Sequence, residues 1–296
     1  MNSFEQQIRR ADVLVEALPY LQKFRGQTFV IKYGGSAMED PLLVASVLRD
    51  IVYLEVVGIN PVVVHGGGKA ITRRMKERGL EAKFIAGLRV TDKASVDIVA
   101  EVLDTNINPG IVQKLNEFGG SARSFSGATV FRAEKSPAFA YQGGTVDLGY
   151  VGDVTGCQIP RVLECVHQET VPVISPIGRD EQRQVYNINA DIAAAEIAIA
   201  LEAEKIIYLS DVNGVLRDPK DASTRIPTIS DADVQSLKAE SIIDGGMLPK
   251  VNSCLKALHF GVKKVHLIDG RIPHALLLEL FTDKGIGTEI VLENNN

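Results

Sequence analysis

Two lysines of this sequence occupy positions where a lysine needs an anionic partner. Lys32 lies in the apolar run TFVIKYGG, and a charged side chain among buried neighbours is uncommon without a partner. Lys250 follows a Gly-Gly pair in GGMLPK, near the first turn of a predicted helix, where the positive end of the helix dipole disfavours a cation. Both positions become favourable when a phosphate or a carboxylate binds beside them. For Lys32, a side chain that reaches solvent at the sheet edge is the alternative.

A glycine-rich turn, Gly66 to Gly68, follows the apolar run PVVVH and precedes a predicted helix. Without Cβ atoms such a turn exposes backbone N–H groups, which attract an anion together with the helix dipole. A Walker loop is excluded because Lys69 is followed by Ala70 and no glycine stands at the required distance. A dinucleotide fingerprint is weakened because Ile71 takes the place of its third glycine. We therefore expect a phosphate or carboxylate ligand, with a tight turn that binds nothing as the alternative.

Polar residues in the stretch NINAD precede a long alanine-rich helix. Asn187 and Asn189 are both suitable caps for that helix. Asp191 falls in its first turn, where a carboxylate is favourable as compensation for the helix dipole alone. A carboxylate near two lysines can also hold their ammonium groups in position, so the sequence leaves both roles open.

The order of the predicted elements indicates an α/β fold. Short runs rich in Val and Ile alternate with amphipathic stretches, which is typical of strands buried on both faces of a mainly parallel sheet. The predicted strands are 28–35, 61–68, 170–178, 205–214 and 264–270, and the predicted helices are 41–57, 69–79, 94–103, 108–118, 191–203 and 249–260. We expect a three-layer αβα sandwich around an open, mainly parallel sheet, divided into two lobes. Ligands bind beyond the carboxyl ends of such strands, so the polar clusters should meet there.

Two segments depart from this alternation. Residues 121–154 alternate polar and apolar side chains and are dense in glycine, which predicts short antiparallel strands beside the main sheet. Before the first strand, apolar side chains recur at helical spacing from Ile8 to Leu18, and Pro19 predicts that this helix kinks or ends near Leu18. The amphipathic helix either packs on its own domain or docks between subunits.

The composition indicates small-molecule ligands. The 296 residues carry a net charge of -5, with 32 basic and 37 acidic residues well mixed, which provides no basic surface for nucleic acid or for a membrane. No apolar run approaches the roughly 18 residues that span a bilayer, and the N-terminal stretch lacks the features of a signal or transit peptide. The 3 cysteines are widely spaced and indicate neither a disulfide framework nor a zinc site. A cytoplasmic location is expected.

With these residues assembled, the sequence resembles the amino acid kinase family over nearly the whole chain. Seven blocks occur in the family's order: KYGGSAM at Lys32, VVVHGGGKAI at Val62, GLRVTD at Gly87, NINAD at Asn187, LSDVNGV at Leu209, GGMLPKV at Gly245 and GIGTEI at Gly285. The resemblance implies phosphorylation of the γ-carboxylate of N-acetyl-L-glutamate by ATP, as a step of arginine biosynthesis. It implies that Mg²⁺ arrives with ATP and that the protein has no metal site of its own.

The resemblance also implies a role for each matching residue. Lys32 and Lys250 would contact the transferring phosphoryl group, and Asp191 would orient both ammonium groups. The substrate would contact Gly67, Gly68, Arg89, Asn187 and Asn189, and the phosphate would contact Gly34, Gly35 and Gly66. The nucleotide would lie against Ser210, Asp211, Val212, Asn213, Gly214, Val215, Ile242, Ile243, Asp244, Gly245 and Gly246. Arginine, as a feedback inhibitor, would contact Tyr20, Lys205, Glu279 and Gly285.

The implied chemistry fits these side chains. A carboxylate substrate with a pKa near ~4.3 is ionised at neutral pH, so the nucleophile needs no general base. The reaction needs charge neutralisation and alignment of two anions. A kinase of carbamate, aspartate or a related N-acylated amino acid would share the lysines and glycines and differ around Arg89 and Asn187. A catalytically silent sensor of arginine or nucleotide is a further alternative, and intact Lys32, Lys250 and Asp191 argue against it.

By the same resemblance the chain divides into three parts: an oligomerisation helix, 1–25, an N-lobe that binds the amino acid and forms dimers, 26–186, and a C-lobe that binds the nucleotide, 187–296. A homo-oligomer is implied, at least a dimer and, through the kinked helix, a hexamer built as a trimer of dimers. A regulatory protein partner is left open. The stretches LDTNINPGI and SFSGATVFRAEKS depart from the family pattern and leave the substrate lid and the inhibitor response open.

Overall fold

The computed structural model describes residues 3–293. Residues 1 and 2 of the predicted segment 1–25, and residues 294–296 of the predicted segment 187–296, lie outside the described residues. The strands are β1 (Thr28–Tyr33), β2 (Asn60–His65), β3 (Lys83–Ile85), β4 (Leu88–Val90), β5 (Ala122–Phe125), β6 (Phe131–Lys135), β7 (Phe139–Tyr141), β8 (Gly144–Val146), β9 (Gly152–Cys157), β10 (Val171–Ile174), β11 (Ile177–Arg179), β12 (Val185–Asn187), β13 (Lys205–Ser210), β14 (Thr228–Ser230), β15 (Lys264–Asp269) and β16 (Thr288–Val291). The α-helices are α1 (Ser3–Glu16), α2 (Leu18–Phe24), α3 (Pro41–Val56), α4 (Gly68–Glu77), α5 (Lys93–Glu101), α6 (Asn108–Glu117), α7 (Pro160–His167), α8 (Ala190–Ala200), α9 (Asp233–Ala239), α10 (Met247–His259) and α11 (Ala275–Leu280). A π-helix, Val102–Ile107, joins α5 to α6, and 3₁₀ turns span Gly35–Met38, Gly127–Thr129 and Ala222–Thr224.

One eight-stranded sheet organises the molecule, in the order β14, β16, β15, β13, β1, β2, β10, β5. Its neighbouring strands pair in parallel, except that β16 runs antiparallel to β15. Side chains of α8 and α10 pack on one face together with Val30, and those of α3, α6 and α11 pack on the other together with Ile31. Successive residues of β1 thus enter two cores, which is why its sequence is apolar throughout. The predicted three-layer αβα sandwich with a mainly parallel sheet is confirmed.

The central strand β1 marks the point where the sheet order reverses. From β1 the chain passes to β2 on one side, and it returns later to β13 on the other side. At such a switch point the loops after neighbouring strands turn in opposite directions, which opens a crevice beyond their carboxyl ends. The carboxyl ends of β1, β2 and β13 therefore define where a ligand site is expected.

The predicted strand 170–178 is wrong as a single element. The chain leaves the main sheet after Ile174, and β11 joins a second sheet of order β12, β11, β6, β9. Pro176 lies at the break and has no N–H to donate to a continuing ladder. Its carbonyl instead accepts a hydrogen bond from the N–H of Ile188, 3.0 Å away.

The prediction of antiparallel strands in residues 121–154 is correct only in part. β6 and β9 are antiparallel, and β7 and β8 form a hairpin, as predicted. β5 is instead the edge strand of the main sheet and pairs in parallel with β10. The reason lies in the connections, because β5 is joined to β10 through α7 and the second sheet, and a long crossover is what a parallel pair requires.

The structure agrees with the sequence-based prediction at one helical region and differs from it at another. The break at the N-terminal helix is confirmed, because α1 ends at Glu16 and α2 begins at Leu18 with Pro19 in its first turn. The predicted gap between helices at 104–107 is wrong, since the π-helix continues α5 directly into α6. Within residues 3–293, no helix is long and apolar enough to cross a membrane.

Candidate active site

Lys32, Asp191 and Lys250 meet beyond the carboxyl ends of the central strands. The Nζ of Lys32 lies 3.1 Å from Oδ1 of Asp191, and the Nζ of Lys250 donates a hydrogen bond of 2.7 Å to Oδ2. The side chains of Lys32, Asp191 and Lys250 are 13%, 16% and 12% exposed. The two cations that the sequence singled out therefore share one carboxylate in a largely buried site. We call these three residues the charged trio.

Three elements supply the charged trio. Lys32 is the next-to-last residue of β1, whereas Asp191 and Lys250 lie in the first turns of α8 and α10. The helix α8 begins where it does because the Oδ1 of Asn189 accepts the N–H of Asp191 at 2.8 Å. Both helices therefore bring their positive N-terminal ends to the same place.

The charged trio carries a net positive charge. Burial works to raise the pKa of Asp191, but the ammonium groups of Lys32 and Lys250 outweigh it and hold that pKa well below its usual range. The carboxylate is thus ionised at neutral pH and balances one of two cations. The ring of Tyr208, which the sequence analysis missed, lies 5.3 Å below the Nζ of Lys250. Such a site attracts a doubly charged anion such as a phosphoryl group.

The first glycine turn lies against the charged trio because it has no side chains. A Cβ at Gly34 would lie 2.9 Å from the Nζ of Lys32, and a Cβ at Gly35 would lie 2.7 Å from Oδ1 of Asp211. Gly35 also has a φ of +70°, in the left-handed region that favours glycine. The same Asp211 oxygen accepts the N–H of Ser36 at 2.7 Å. This hydrogen bond joins the turn after β1 to the turn after β13, across the switch point of the sheet.

The second glycine turn packs against the first. The N–H of Gly66 donates to the carbonyl of Tyr33 at 2.7 Å, which fixes the two turns side by side. A Cβ at Gly67 would lie 2.6 Å from Cδ2 of Leu103 and 2.7 Å from Cδ1 of Ile107. Gly68 is the first residue of α4, and the first amides of a helix have no acceptor within it. The turn therefore presents backbone donors with no side chain in front of them.

These elements line a cleft of about 250 Å³. The cleft is lined by Lys32, Asp191, Gly35, Gly66, Gly67, Gly68, Arg89, Asn187 and Asn189, all of which the sequence analysis predicted. Gly34 and Lys250 stand directly behind this wall, in contact with Lys32 and Asp191. Apolar side chains of Phe84, Leu88 and Leu103 complete the lining. The predicted substrate and phosphate residues are thus brought together in one place.

Arg89 is held at the cleft by protein acceptors and is only 7% exposed. One of its terminal nitrogens, Nη2, donates to the carbonyl of Gly68 and to Oγ1 of Thr72, both at 2.9 Å. Its guanidinium lies 4.6 Å from the centre of the Phe84 ring. Thr72 comes one helical turn after Gly68 in α4, and the sequence analysis did not single it out. Arg89 is therefore a fixed cation that keeps donors free for a ligand carboxylate.

The two asparagines of NINAD have separate tasks in the structure. Of the two asparagines that suit a helix cap, Asn189 is the one that caps α8. The Nδ2 of Asn187 donates to Oγ1 of Thr91 at 3.2 Å. Asn187 lies at the end of β12 and lines the cleft. Its hydrogen bond to Thr91, two residues after Arg89, orients its side-chain oxygen.

The predicted nucleotide residues lie at the end of β13 and in the loop after it, Ser210 to Val215, and in the turn before α10, Ile242 to Gly246. Val215 and Ile243 are each 1% exposed and belong to the same core. The N–H of Val215 already donates to Oγ1 of Thr288 at 2.8 Å. These two residues therefore offer no side chain to a ligand and act by fixing their loops. The Oδ1 of Asn213 is buried and has no hydrogen-bond partner within residues 3–293, so it is free to accept a hydrogen bond from a ligand.

The four residues predicted to contact arginine lie around the amino end of β13, at the end of the central strands opposite to the charged trio. The Nζ of Lys205 lies 3.0 Å from Nε2 of His266, and Nδ1 of His266 lies 2.6 Å from Oε1 of Glu279. A Cβ at Gly285 would lie 2.7 Å from Oε2 of Glu279. Tyr20 donates a hydrogen bond to Asp283 and packs on Phe281, two residues before it. The sequence analysis missed His266, a polar residue in the apolar run of β15 whose signal resembles that of Lys32.

The charges in this second cluster follow from burial. Burial lowers the pKa of Lys205 to about 8 and also lowers the pKa of His266. Burial works to raise the pKa of Glu279, but hydrogen bonds from His266 and from the backbone of Ile286 and Gly287 hold it below its usual value. At neutral pH the cluster therefore consists of a lysine ammonium, a neutral imidazole and a carboxylate in a row.

Residues 27–269 match the model of the amino acid kinase family. This range includes β1 to β15 and the whole of the charged trio. The chain therefore belongs to the amino acid kinase family.

Two curated relatives of this chain share one name. The acetylglutamate kinase of Akkermansia muciniphila is 48% identical over 97% of this chain and 97% of its own length. The acetylglutamate kinase of Heliobacterium modesticaldum is 46% identical over 96% of this chain and 98% of its own length.

Solved structures with the same fold include two of different activity. The N-acetylglutamate synthase of Neisseria gonorrhoeae, complexed with coenzyme A and N-acetyl-glutamate, is 28% identical with a TM-score of 0.83, over 96% of this chain and 63% of that one. The carbamate kinase of Giardia lamblia, bound to AMP-PNP, matches 90% of this chain and 99% of that one with a TM-score of 0.65 at 15% identity, which shows the fold alone.

Proposed function

We propose that this protein transfers the γ-phosphoryl group of ATP to the γ-carboxylate of N-acetyl-L-glutamate, with N-acetyl-L-glutamyl 5-phosphate and ADP as products. A kinase of acetylglutamate is what the names of its full-length relatives describe, and the reaction is a step of arginine biosynthesis. The observation that carries the proposal is the charged trio, in which two lysines share one carboxylate beside two glycine turns.

In the proposed reaction a γ-carboxylate oxygen attacks the γ-phosphorus of ATP. A new O–P bond forms, the bond to the β-phosphate oxygen breaks, and its electron pair leaves with ADP. The carboxylate is already ionised, so no proton has to be removed. Lys32 and Lys250 neutralise charge on the transferring group, and Asp191 directs both ammonium groups. Donors at Gly34, Gly35 and Gly66 bind the phosphoryl oxygens, so positioning and electrostatics provide the catalysis.

The proposed acceptor site is the part of the cleft around Arg89. A guanidinium has five N–H donors, of which Met75, Gly68 and Thr72 occupy three. The two that these contacts leave are available to the α-carboxylate of the substrate. The backbone of Gly67 and Gly68 and the side chains of Asn187 and Asn189 bind its other polar groups, and the apolar wall accommodates its methylenes and acetyl group.

The proposed nucleotide site lies on the C-lobe, in the loop after β13 and the turn before α10. The domain boundaries follow from this: an oligomerisation helix, 1–25, an acceptor-binding N-lobe, 26–186, and a nucleotide-binding C-lobe, 187–296. Within residues 3–293 there is no group of three or more His, Cys, Asp or Glu side chains that could hold a metal ion. Mg²⁺, which would lower the charge of the phosphates, is proposed to enter on ATP, because Mg²⁺ in kinase sites keeps several waters and binds substrate phosphates.

The acceptor is tested by trapping the product. With MgATP, N-acetyl-L-glutamate and hydroxylamine, the protein should form a hydroxamate, because hydroxylamine reacts with acyl phosphates. Glutamate, aspartate, N-acetyl-aspartate and carbamate serve as competing acceptors, and Lys250→Met is the inactive control. A product from another acid alone would reassign the substrate. No product from any acid, together with tight arginine or nucleotide binding, would favour the sensor.

We also infer that arginine inhibits the enzyme at the second cluster. Glu279 is the carboxylate that would pair with the guanidinium of arginine, and Tyr20, Lys205 and Gly285 surround it. Lys205 and Ser210 are the two ends of β13, about 16 Å apart along an extended strand, so arginine would act without occupying the active site. The expected result is inhibition of the wild type by arginine that Glu279→Gln weakens without lowering kcat. Equal inhibition of both would reject this site.

The proposed assembly is a homo-oligomer, at least a dimer, with α1 linking dimers into a hexamer. Its support is that α1 exposes Phe4, Leu14 and Val15, which are 66–67% exposed in the single chain, and such a stripe is typical of a docking face. Deleting residues 1–16 removes α1 and keeps Tyr20 and Phe24. The shortened protein should elute at a smaller size, with weaker inhibition by arginine and unchanged kcat. An unchanged size would reject the linking role.

A further inference from the structure

His65 is a buried side chain that the proposed reaction does not use. It is the last residue of β2, immediately before the second glycine turn, and it is 0% exposed. A fully buried imidazole at the end of a strand is held by specific hydrogen bonds, because an unpaired one costs free energy. Its partners therefore indicate what it does.

The partners of His65 fix its tautomer. The Nδ2 of Asn108 donates to the carbonyl of Val173 at 2.9 Å, and because a carbonyl only accepts, this contact fixes which end of the Asn108 amide points inward. The same Nδ2 lies 3.1 Å from Nε2 of His65, which must therefore be the acceptor. The proton is then on Nδ1, which donates to the carbonyl of Gly66 at 2.9 Å. The imidazole is neutral, as burial also requires, since it lowers the pKa of His65 to about 4.

The bond to Gly66 determines where the next amide points. The C=O of Gly66 and the N–H of Gly67 belong to one planar trans peptide unit, so they point in opposite directions. While His65 holds the carbonyl in the core, the N–H of Gly67 is directed away from His65. The N–H of Gly66 is fixed separately by the carbonyl of Tyr33. Gly67 itself lines the cleft.

The side chains behind Gly67 lie on the helical segment that leads into Asn108. Leu103 and Ile107, the side chains nearest to Gly67, lie on the π-helix that ends immediately before Asn108. The Asp104 carboxylate of this π-helix accepts hydrogen bonds of 2.6 Å from Ser126 and 2.5 Å from Ser175. The two stretches that depart from the family pattern thus meet here. π-Helical turns are rare overall but frequent at functional sites, and this one carries the side chains behind Gly67 and leads directly into Asn108.

We propose that His65, supported by Asn108, is a positioning residue that aims the N–H of Gly67 into the cleft, where it donates to the reacting anion. The proposal rests on the proposed function, in which Gly67 is part of the acceptor site. His65 acts through the peptide unit and touches neither substrate. A preorganised donor of this kind contributes on the order of 10²–10³ in rate, so its misdirection is expected to lower kcat by roughly tenfold or more.

Two conservative substitutions separate positioning from packing. In His65→Asn the side-chain amide places an N–H near the Nδ1 position, which keeps the bond to Gly66 and gives up the contact with Asn108. In His65→Gln the amide reaches the Nε2 position, which keeps the contact with Asn108 and more of the volume but gives up the bond to Gly66. If His65 positions the peptide, kcat is expected to fall less than about threefold in His65→Asn and at least tenfold in His65→Gln, with the KM for MgATP unchanged.

A packing role predicts the reverse order, because asparagine leaves the larger cavity. Val63→Ala, two residues earlier in β2 and equally buried, is the matched control: it should lose stability comparably and keep kcat within about twofold. A kcat in His65→Gln equal to or above that in His65→Asn would overturn the proposal.

A second measurement does not depend on the identity of the substrate. Two-bond ¹H–¹⁵N spectra of the wild-type protein at pH 7 report which imidazole nitrogen of His65 carries the proton. An Nδ1–H tautomer is expected. An Nε2–H tautomer or an imidazolium would overturn the positioning role whatever the acceptor is, whereas a hydroxamate test that fails with an Nδ1–H tautomer present would reject only the proposed substrate.

Discussion

Replacing Asp191 by asparagine removes the one negative charge of the charged trio and keeps the size of the side chain. Lys32 and Lys250, 13% and 12% exposed, would then lie together without a counter-ion. Removing one partner of a buried ion pair costs about 3–5 kcal/mol, and the remaining exposure of these side chains favours the lower end, ~3 kcal/mol. Because the ammonium groups also lose the acceptor that directs them, we expect kcat to fall on the order of 10²–10³. Urea unfolding and the hydroxamate assay measure the two effects.

The same helix provides a matched control. Glu196 of α8 pairs with Lys256 of α10, as Asp191 pairs with Lys250, but the side chain of Lys256 is 48% exposed. Glu196→Gln should therefore change the free energy of unfolding by less than about 1 kcal/mol and leave kcat unchanged. MgATP gives a further test, because its phosphates replace the missing negative charge. It should raise the stability of Asp191→Asn more than that of the wild type.

A different outcome would refute this reasoning. If Asp191→Asn keeps kcat within about threefold of the wild type, and if MgATP stabilises both proteins equally, Asp191 does not orient the lysines. It would then only compensate the dipole of α8, which is the alternative that the sequence left open.

Gly67→Ala should lower kcat at least tenfold, because its Cβ would meet Leu103 and Ile107 at 2.6 and 2.7 Å; Gly110→Ala, a helical glycine with open space around it, should instead stabilise the protein slightly with unchanged kcat. Burial raises the pKa of Asp50 to about 6, above its value of 3.8 in model compounds. The folded state therefore binds this proton more tightly, and the free energy of unfolding should fall as pH rises from about 4 to 6. Unfolding curves of Asp50→Asn should lack this decrease, and an identical pH dependence in both proteins would contradict it.

The two lysines of the charged trio were predictable because each contradicts its local surroundings, whereas Asp191 suits the first turn of its helix and its role stayed open. Lys32 interrupts an apolar strand, and Lys250 opposes a helix dipole, so each signals a missing anion from a few neighbouring residues. The same is true of the main strands, since β1, β2 and β13 are buried on both faces and read as continuous apolar runs.

The parts that sequence reasoning missed depend on partners distant in the chain. The imidazole of His65 is bound by Asn108, 43 residues later, and Lys205 meets His266 after 61 residues. The edge strand β5 is defined by its parallel neighbour β10 and has little pattern of its own, and the sequence VLDTNI of the π-helix does not distinguish it from an α-helix. Apart from His266, which interrupts an apolar strand as Lys32 does, these features carry little local signal, so tertiary contacts decide their structure.

We propose that the N-lobe and the C-lobe move relative to each other, and the charged trio indicates which of its lysines depends on this movement. Asp191 and Lys250 both belong to the proposed C-lobe, and their hydrogen bond of 2.7 Å persists if the lobes move. Lys32 belongs to the proposed N-lobe and contacts Asp191 of the proposed C-lobe at 3.1 Å, so under this proposal the contact breaks when the lobes separate. Lys32→Met should therefore abolish the dependence of acceptor affinity on bound MgADP, whereas Lys250→Met should lower kcat and retain that dependence. Calorimetric titrations of the acceptor with and without MgADP measure it, and equal behaviour of both variants would show that the boundary between 186 and 187 does not separate the moving parts.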